Sequence, residues 1–381
     1  MTGRFVWLLS VAAVFCALAK ALEIRLFLFV GLLLFLVLAY ALISVLWAKN
    51  TLRIRCAAKE TRLMRGTEAK LEIEVGVKCP LPVAPVEIAY HFGRDTGFVD
   101  SPVRGFSAAS HTVTYPAMHV GTMRAGVLRA RVSDIYGICQ AQLKALPDET
   151  ILVMPRLFSI EKPTFAVSDE GKSALTRSTE DNTSPEDIRA YQPGDAMKRV
   201  HWKLSTRRRE LLVRKYETPA PPDTLILMDC AEIEGAESAE KAAGLRDALC
   251  ETAVAVAGLQ MADGSPVRLP LYGERANEFA SDQAQNLQLL QEMLAMQTFR
   301  RGEDFARVLR MELKRMRRTG AVVIVTTRLD ASVVDAVSAI RRMGPSVRFY
   351  LVTWKAENEE TRPYVTRLQH HMVEVCYVTP A

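Results

Sequence analysis

The chain has 381 residues, enough for two or three domains at about 100–200 residues each. Apolar residues make up 49% and charged residues 24%, which excludes a wholly disordered chain, and a mean hydropathy of +0.05 excludes a polytopic transporter. Net charge is +6, but Lys198–Lys215 alone holds eight Lys/Arg against Glu210, a local +7, so the rest of the chain sums to −1.

The apolar excess sits at the amino terminus. Leu26–Ala48 is a run of 23 residues without a charge and without a polar face. At 1.5 Å per residue it can cross a hydrocarbon core of roughly 30 Å. Phe5–Leu22 is a shorter candidate, with Lys20 placed to snorkel to the interface. Arg4 and Ala17-Leu18-Ala19 also fit a signal peptide. Because a second span follows at once, an uncleaved transmembrane helical hairpin over residues 1–48 is the preferred reading. Lys49, Arg53, Arg55, Lys59, Arg62 and Arg65 crowd the exit of the second span, against Glu60. The positive-inside rule then places the remainder in the cytoplasm, on a bacterial inner membrane. The seven cysteines are widely spaced and form no C-x-x-C, which speaks against a disulfide framework or a zinc site.

Residues 49–160 read as an all-β sandwich. Apolar residues alternate in Thr51–Cys56, Lys70–Val77, Val86–Phe92, His111–Tyr115, Val127–Val132 and Ile151–Met154. Residues 161–222 read as a polar linker followed by a distinctive segment. In that segment Ser184 is placed to cap a helix with Pro185 in its first turn, broken by Pro193-Gly194. Asp195 is placed to cap a second helix over Ala196–Leu204, and Leu211–Tyr216 reads as a strand. Residues 223–381 alternate apolar strands with helices, the pattern of a doubly wound α/β domain. The expected strands are Thr224–Met228, Val267–Leu271, Ala321–Thr326, Val347–Val352 and Val373–Val378. The expected helices run from Ser238 to about Ala262, over Asp282–Met296 and Glu303–Arg318, and from Asp330 to Gly344.

The segment Ser184–Glu217 resembles the family known as domain of unknown function 58. The residues that carry this are Arg189 and Tyr191, Gly194-Asp195, then Arg199, Val200, His201 and Trp202, followed by Ser205, Arg207, Leu212, Val213, Arg214, Tyr216 and Glu217. Upstream, Ser133-Asp134-Ile135-Tyr136-Gly137-Ile138 is similar to that family's Asp-Pro-Phe-Gly-Leu turn, with Ile135 in place of proline. Val153-Met154-Pro155-Arg156 is similar to its Val-Tyr-Pro strand end. The resemblance implies a von Willebrand factor A-like α/β domain and a MoxR-type AAA+ ATPase as partner. Such domains can hold a divalent cation through Asp-x-Ser-x-Ser after the first strand. Asp229 is in place, but Ala231 and Ile233 stand at the serine positions, so the metal site reads as degenerate and no cofactor is expected.

Asp195, His201 and Ser205 raise the question of catalysis at this joint. A nucleophilic site needs nucleophile, base and orienter in mutual reach, and no Gly-x-Ser-x-Gly elbow accompanies them. The basic segment attracts phosphate, yet no nucleic-acid reading motif and no Walker loop occurs. The leading expectation is a non-enzymatic, membrane-anchored scaffold whose α/β domain presents a binding surface to a cytosolic partner, with the basic joint as a docking or domain-locking element in which Arg189 and Arg199 pair with Asp195 or Glu217. The alternatives are an enzyme acting on an envelope or lipid substrate through Asp195 and His201, and nucleic-acid binding through Lys198–Lys215.

Overall fold

The computed structural model describes residues 3–380, except 103–107, 144, 161–186, 193–196, 198–199, 216–221, 235, 273–275, 301–303, 317–318 and 356–358, and the side chains of 187–189 and 214–215. The described chain forms two compact units, Met1–Pro155 and Arg156–Ala381. Four segments were expected. The apolar helices and the β-domain share one unit, and the distinctive segment clusters with the α/β region.

In the first unit, α1 (Gly3–Leu22) and α2 (Arg25–Thr51) form an antiparallel pair around a turn at Glu23, whose φ is 52°. Both are long and apolar enough to cross a membrane. They approach closely at Gly31, where a Cβ would lie 2.7 Å from Cys16 Sγ and 3.3 Å from the Ala12 carbonyl oxygen. A small residue there lets the two backbones meet.

Among the described residues nine strands follow: β1 (Arg53–Ala58), β2 (Arg62–Met64), β3 (Glu68–Gly76), β4 (Val86–Phe92), β5 (Asp95–Ser101), β6 (Ala108–Pro116), β7 (Gly121–Ser133), β8 (Gln140–Leu143) and β9 (Glu149–Met154). They make two sheets, β1-β3-β6 and β2-β9-β7-β4-β5, with β8 paired to β7. Alternation puts Ala69, Leu71, Ile73 and Val75 of β3 into the core, against Ile88, Val127 and Ile151 of the second sheet. The same core includes Leu38, Ala41, Val45 and Ala48 of α2 and Leu52 beyond it. The uncharged run Leu26–Ala48 has no polar face, so its sequence does not mark which side meets protein. In the fold the last part of the run packs one side on the β-core.

The second unit begins, among the described residues, with β10 (Asp187–Ala190) paired antiparallel to β11 (Leu212–Lys215), and α3 (Trp202–Arg208) between them. The helix expected from Ser184 is therefore a strand where it is described: hairpin pairing with the apolar Leu212-Val213 outweighs the capping signal. The second expected helix is displaced from Ala196–Leu204 to Trp202–Arg208. Then come β12 (Asp223–Met228), α4 (Ala239–Ala262), β13 (Val267–Leu271), β14 (Asn277–Ser281), α5 (Leu287–Ala295), α6 (Phe305–Arg315), β15 (Thr319–Thr326), α7 (Ala331–Arg342), β16 (Ser346–Val352), α8 (Arg362–His370) and β17 (Glu374–Val378). The sheet order is β14-β13-β12-β15-β16-β17, parallel except for the edge strand β14. One face, through Leu225, Leu227, Val322, Ile324 and Phe349, packs on α6, α7 and α8. Helix α4 contacts β12, β13, β15 and β16. Ser238 caps α4, accepting from Lys241 N at 3.1 Å, and Asp330 caps α7, accepting from Val333 N at 2.9 Å. Both caps match the sequence reading.

An ion cluster closes the β13–β14 end of this sheet. Glu312 of α6 is fully buried and meets Arg268 at 3.2 Å and Arg315 at 2.7 Å; the Tyr272 hydroxyl also donates to it. Burial first, and then that bond to Glu312, pushes the Tyr272 phenol up to about 12. A raised phenol favours the neutral native form. Its contribution to stability is complete below the ordinary tyrosine value of about 10 and is lost as pH rises from there to about 12. Chemical unfolding across that window will show wild type losing stability more steeply than Tyr272→Phe. Parallel curves would refute the coupling.

Candidate functional site

Two places in the second unit gather chemistry. The first is the hairpin carrying α3. Leu212 of β11 anchors it: its N–H donates to Ser205 Oγ at 2.9 Å, and its carbonyl accepts from His201 N at 2.8 Å. Tyr191 N donates to the Leu211 carbonyl at 2.8 Å, extending the hairpin. His201 is the N-cap of α3, its Nδ1 accepting from Leu204 N at 3.3 Å. An accepting Nδ1 puts the proton of a neutral imidazole on Nε2. The candidate base and nucleophile are thus both engaged with backbone. Arg209 closes the helix in the left-handed region, φ 57°, and lets the chain turn into β11.

With those inner residues committed, the outer face is free of them. Trp202 is 56% exposed, and Lys203, Arg207, Arg208 and Arg209 all face solvent. Among the described residues, the hairpin brings His201, Trp202, Ser205, Tyr191 and the three arginines onto one small element. Gly194, Asp195, Arg199, Tyr216 and Glu217 lie outside the described residues, as do the side chains of Arg189 and Arg214. The backbones of Arg189 and Arg214 are in the β10–β11 ladder.

The second place is the crevice at the carboxyl ends of β12 and β15. The neighbours β13 and β15 lie on opposite sides of β12, and such a switch point is where open α/β sheets leave a cleft. A cavity of about 480 Å³ opens there, lined in part by Glu232, Glu237, Lys241, Arg328, Trp354 and Lys355. Trp354 is held by a bond from its Nε1 to the Lys241 carbonyl at 3.3 Å. It lies close enough to α4 that a Cβ at Gly244 would come within 2.9 Å of the ring, which accounts for a glycine inside that helix.

Asp229 sits at the base of this region, 2% exposed. Its carboxylate accepts from Ala231 N at 3.1 Å and from Thr326 Oγ1 at 2.7 Å. A two-pronged guanidinium completes the set, Arg328 Nη2 at 2.8 Å and Nε at 3.0 Å. Asp229 thus holds a turn, through Ala231 N, and ties it to the end of β15 through Thr326. The cation that meets this carboxylate is a side chain, supplied by the loop after β15. Sequence reasoning missed Arg328, Thr326 and Trp354. The one available signal was polar Thr326-Thr327-Arg328 at the end of an apolar strand.

Two apolar helices, a multi-strand sheet unit and an α/β unit bearing a basic hairpin define the class. A family model described as "Protein of unknown function DUF58" matches residues 187–371 of the chain, the hairpin and most of the α/β unit. A curated relative, "Uncharacterized protein YeaD" of Bacillus subtilis (strain 168), is 22% identical over 201 residues, half of each chain. The match thus spans about half the length of that relative. Among solved structures, a CARDB domain from Pyrococcus furiosus in complex with di-metal ions is 11% identical, with a TM-score of 0.21. The alignment covers 27% of this chain and 86% of that one. The sporulation control protein Spo0M of Bacillus subtilis is 8% identical, TM-score 0.18, covering 37% and 58%. Scores this low carry no argument about fold or function.

Proposed function

We propose that this protein is a membrane-anchored, non-enzymatic scaffold of the bacterial inner membrane. Its soluble parts face the cytoplasm, and its von Willebrand factor A-like α/β unit presents a docking surface to a MoxR-type AAA+ ATPase, in complex assembly or envelope maintenance. The observation that carries this is the division of labour on α3. His201 and Ser205 are turned inward to backbone, while Trp202 and Arg207–Arg209 face out. Exposed tryptophan and arginine are the side chains that dominate binding hot spots, and clustered cations select an acidic partner. The cationic run past the second helix supports the orientation. The engagement of His201 Nδ1 as a helix cap weighs against its service as a general base.

The test is co-purification of the full-length protein from membranes with a candidate ATPase. Changing Arg207, Arg208 and Arg209 together to serine should reduce the recovered complex at least about tenfold, since each lost buried charge contact costs on the order of 1–3 kcal/mol. No complex with the unchanged protein under either ADP or ATP would overturn the reading.

A further inference from the structure

The turn at the β7–β8 corner has no role in the hairpin or the crevice. It is nonetheless firmly built. Asp134 is fully buried, and its carboxylate accepts from Tyr136 N at 3.0 Å and Cys139 N at 2.6 Å. Gly137 N donates to the Asp134 carbonyl at 3.0 Å, with Gly137 in the left-handed region at φ 64°. The construction holds Ile135 and Tyr136 outward, 50% and 63% exposed. Two adjacent large apolar side chains held in water on a rigid turn are costly unless something covers them.

Their position says what does. Arg4, at the start of α1, lies with Nη1 3.8 Å from where a Cβ would stand at Gly137. On the neighbouring loop, the Pro82 carbonyl accepts from Tyr40 Oη at 3.3 Å, and Cys79 Sγ lies 3.9 Å from the Ser44 carbonyl. This corner of the β-domain therefore reaches down α2 to Tyr40, not merely to its end at Thr51. From Arg25 to Tyr40 is about 22 Å of helix, and from Tyr40 to Trp47 about another 10 Å. Along that last stretch one face of α2 is in the β-core, while Ile43, Leu46 and Trp47 are exposed on it. A depth of about 10 Å is what interfacial elements occupy at the headgroup–acyl boundary, and tyrosine and tryptophan are the residues enriched there.

We propose that the β-domain is seated in the interfacial layer of the bilayer, with the Ile135-Tyr136 turn and the Ile43, Leu46 and Trp47 stripe forming one lipid-contacting rim. The proposal rests on the membrane-anchor reading. It differs from a stalk that holds the domain clear of the surface. Seating in this way fixes the distance of the β-domain from the membrane and adds apolar thickness beside a helix pair whose unclad part is shorter than a roughly 30 Å hydrocarbon core.

The test uses the full-length protein in phospholipid nanodiscs, with the photoreactive p-benzoylphenylalanine placed singly at Leu33, Tyr136 or Met118. Leu33 is in mid-helix and exposed. Met118 is also exposed and lies beyond the start of β7, so the length of that strand, about 40 Å, separates it from the turn. Irradiation and mass spectrometry should find phospholipid adducts at 33 and 136, with at least about tenfold less at 118, since contact is confined to the rim. Adducts at 33 without adducts at 136, or adducts at 136 that join only protein, would overturn the seating while leaving the anchor intact. Equal yields at 136 and 118 would also overturn it. Absence of lipid adducts at 33 would remove the anchor itself.

Discussion

Replacing Arg268 with methionine is expected to lower the thermal midpoint of the α/β unit by about 6–12 °C, from a loss of about 3 kcal/mol. Arg268 is a three-way junction. Its Nε meets Asp223 at 3.3 Å, and its Nη1 meets Glu278 at 3.1 Å and Glu312 at 3.2 Å. Its side chain is only 17% exposed, and Glu312 is fully buried. Removing the cation leaves Glu278 and Glu312 to share Arg315, and Asp223 loses its bond to Arg268 Nε. Breaking a buried pair on one side typically costs 3–5 kcal/mol, and the low end applies here because Arg315 remains. Lysine at 268 keeps the charge but has no planar fork, so it should recover about half of the loss. The exposed pair Arg367–Asp335, at 51% and 60%, is the control. Its removal should change stability by less than about 1 kcal/mol. A shift for Arg268→Met no larger than that of the control would show that the network adds nothing net.

Asp229→Ala is expected to cost about 2–3 kcal/mol. The change removes the acceptor of Thr326 Oγ1, of Ala231 N and of both prongs of Arg328. Arg328 is 41% exposed and can turn to water, which holds the figure below that of a fully buried pair. Arg328→Ala is the sharper probe. It leaves a carboxylate with 3% side-chain exposure and only neutral donors, and it should destabilise at least as much as Asp229→Ala. Denaturant titration of the two variants and the double variant measures the coupling. A double variant equal to the sum of the singles would mean the pair does not act as a unit.

Much of this architecture was legible in the sequence because it follows from local pattern. The uncharged run from Leu26 required a long helix. Alternation located Val86–Phe92 to the residue, and the strand–helix succession located Val267–Leu271 as closely. Ser238 and Asp330 marked helix starts because a cap is a contact over three residues. The elements that escaped were those whose stability comes from elsewhere. Strands β2, β5, β8 and β14 are short or polar and exist because a partner strand completes their hydrogen bonds. Residues 187–190 carried helix-starting signals but lie opposite Leu212–Lys215, and pairing with that strand prevails.

For the candidate site the division is similar. The order of residues alone carried the family resemblance, the basic segment, the apolar helices and the position of Asp229. It could not supply the partner of that carboxylate, since Arg328 is nearly a hundred residues away and only the parallel pairing of β12 with β15 brings it alongside. Nor could it separate the part of α2 clad by the β-core from the part left bare, because both are equally apolar. Composition decides that a residue avoids water; only the tertiary structure decides what it meets instead.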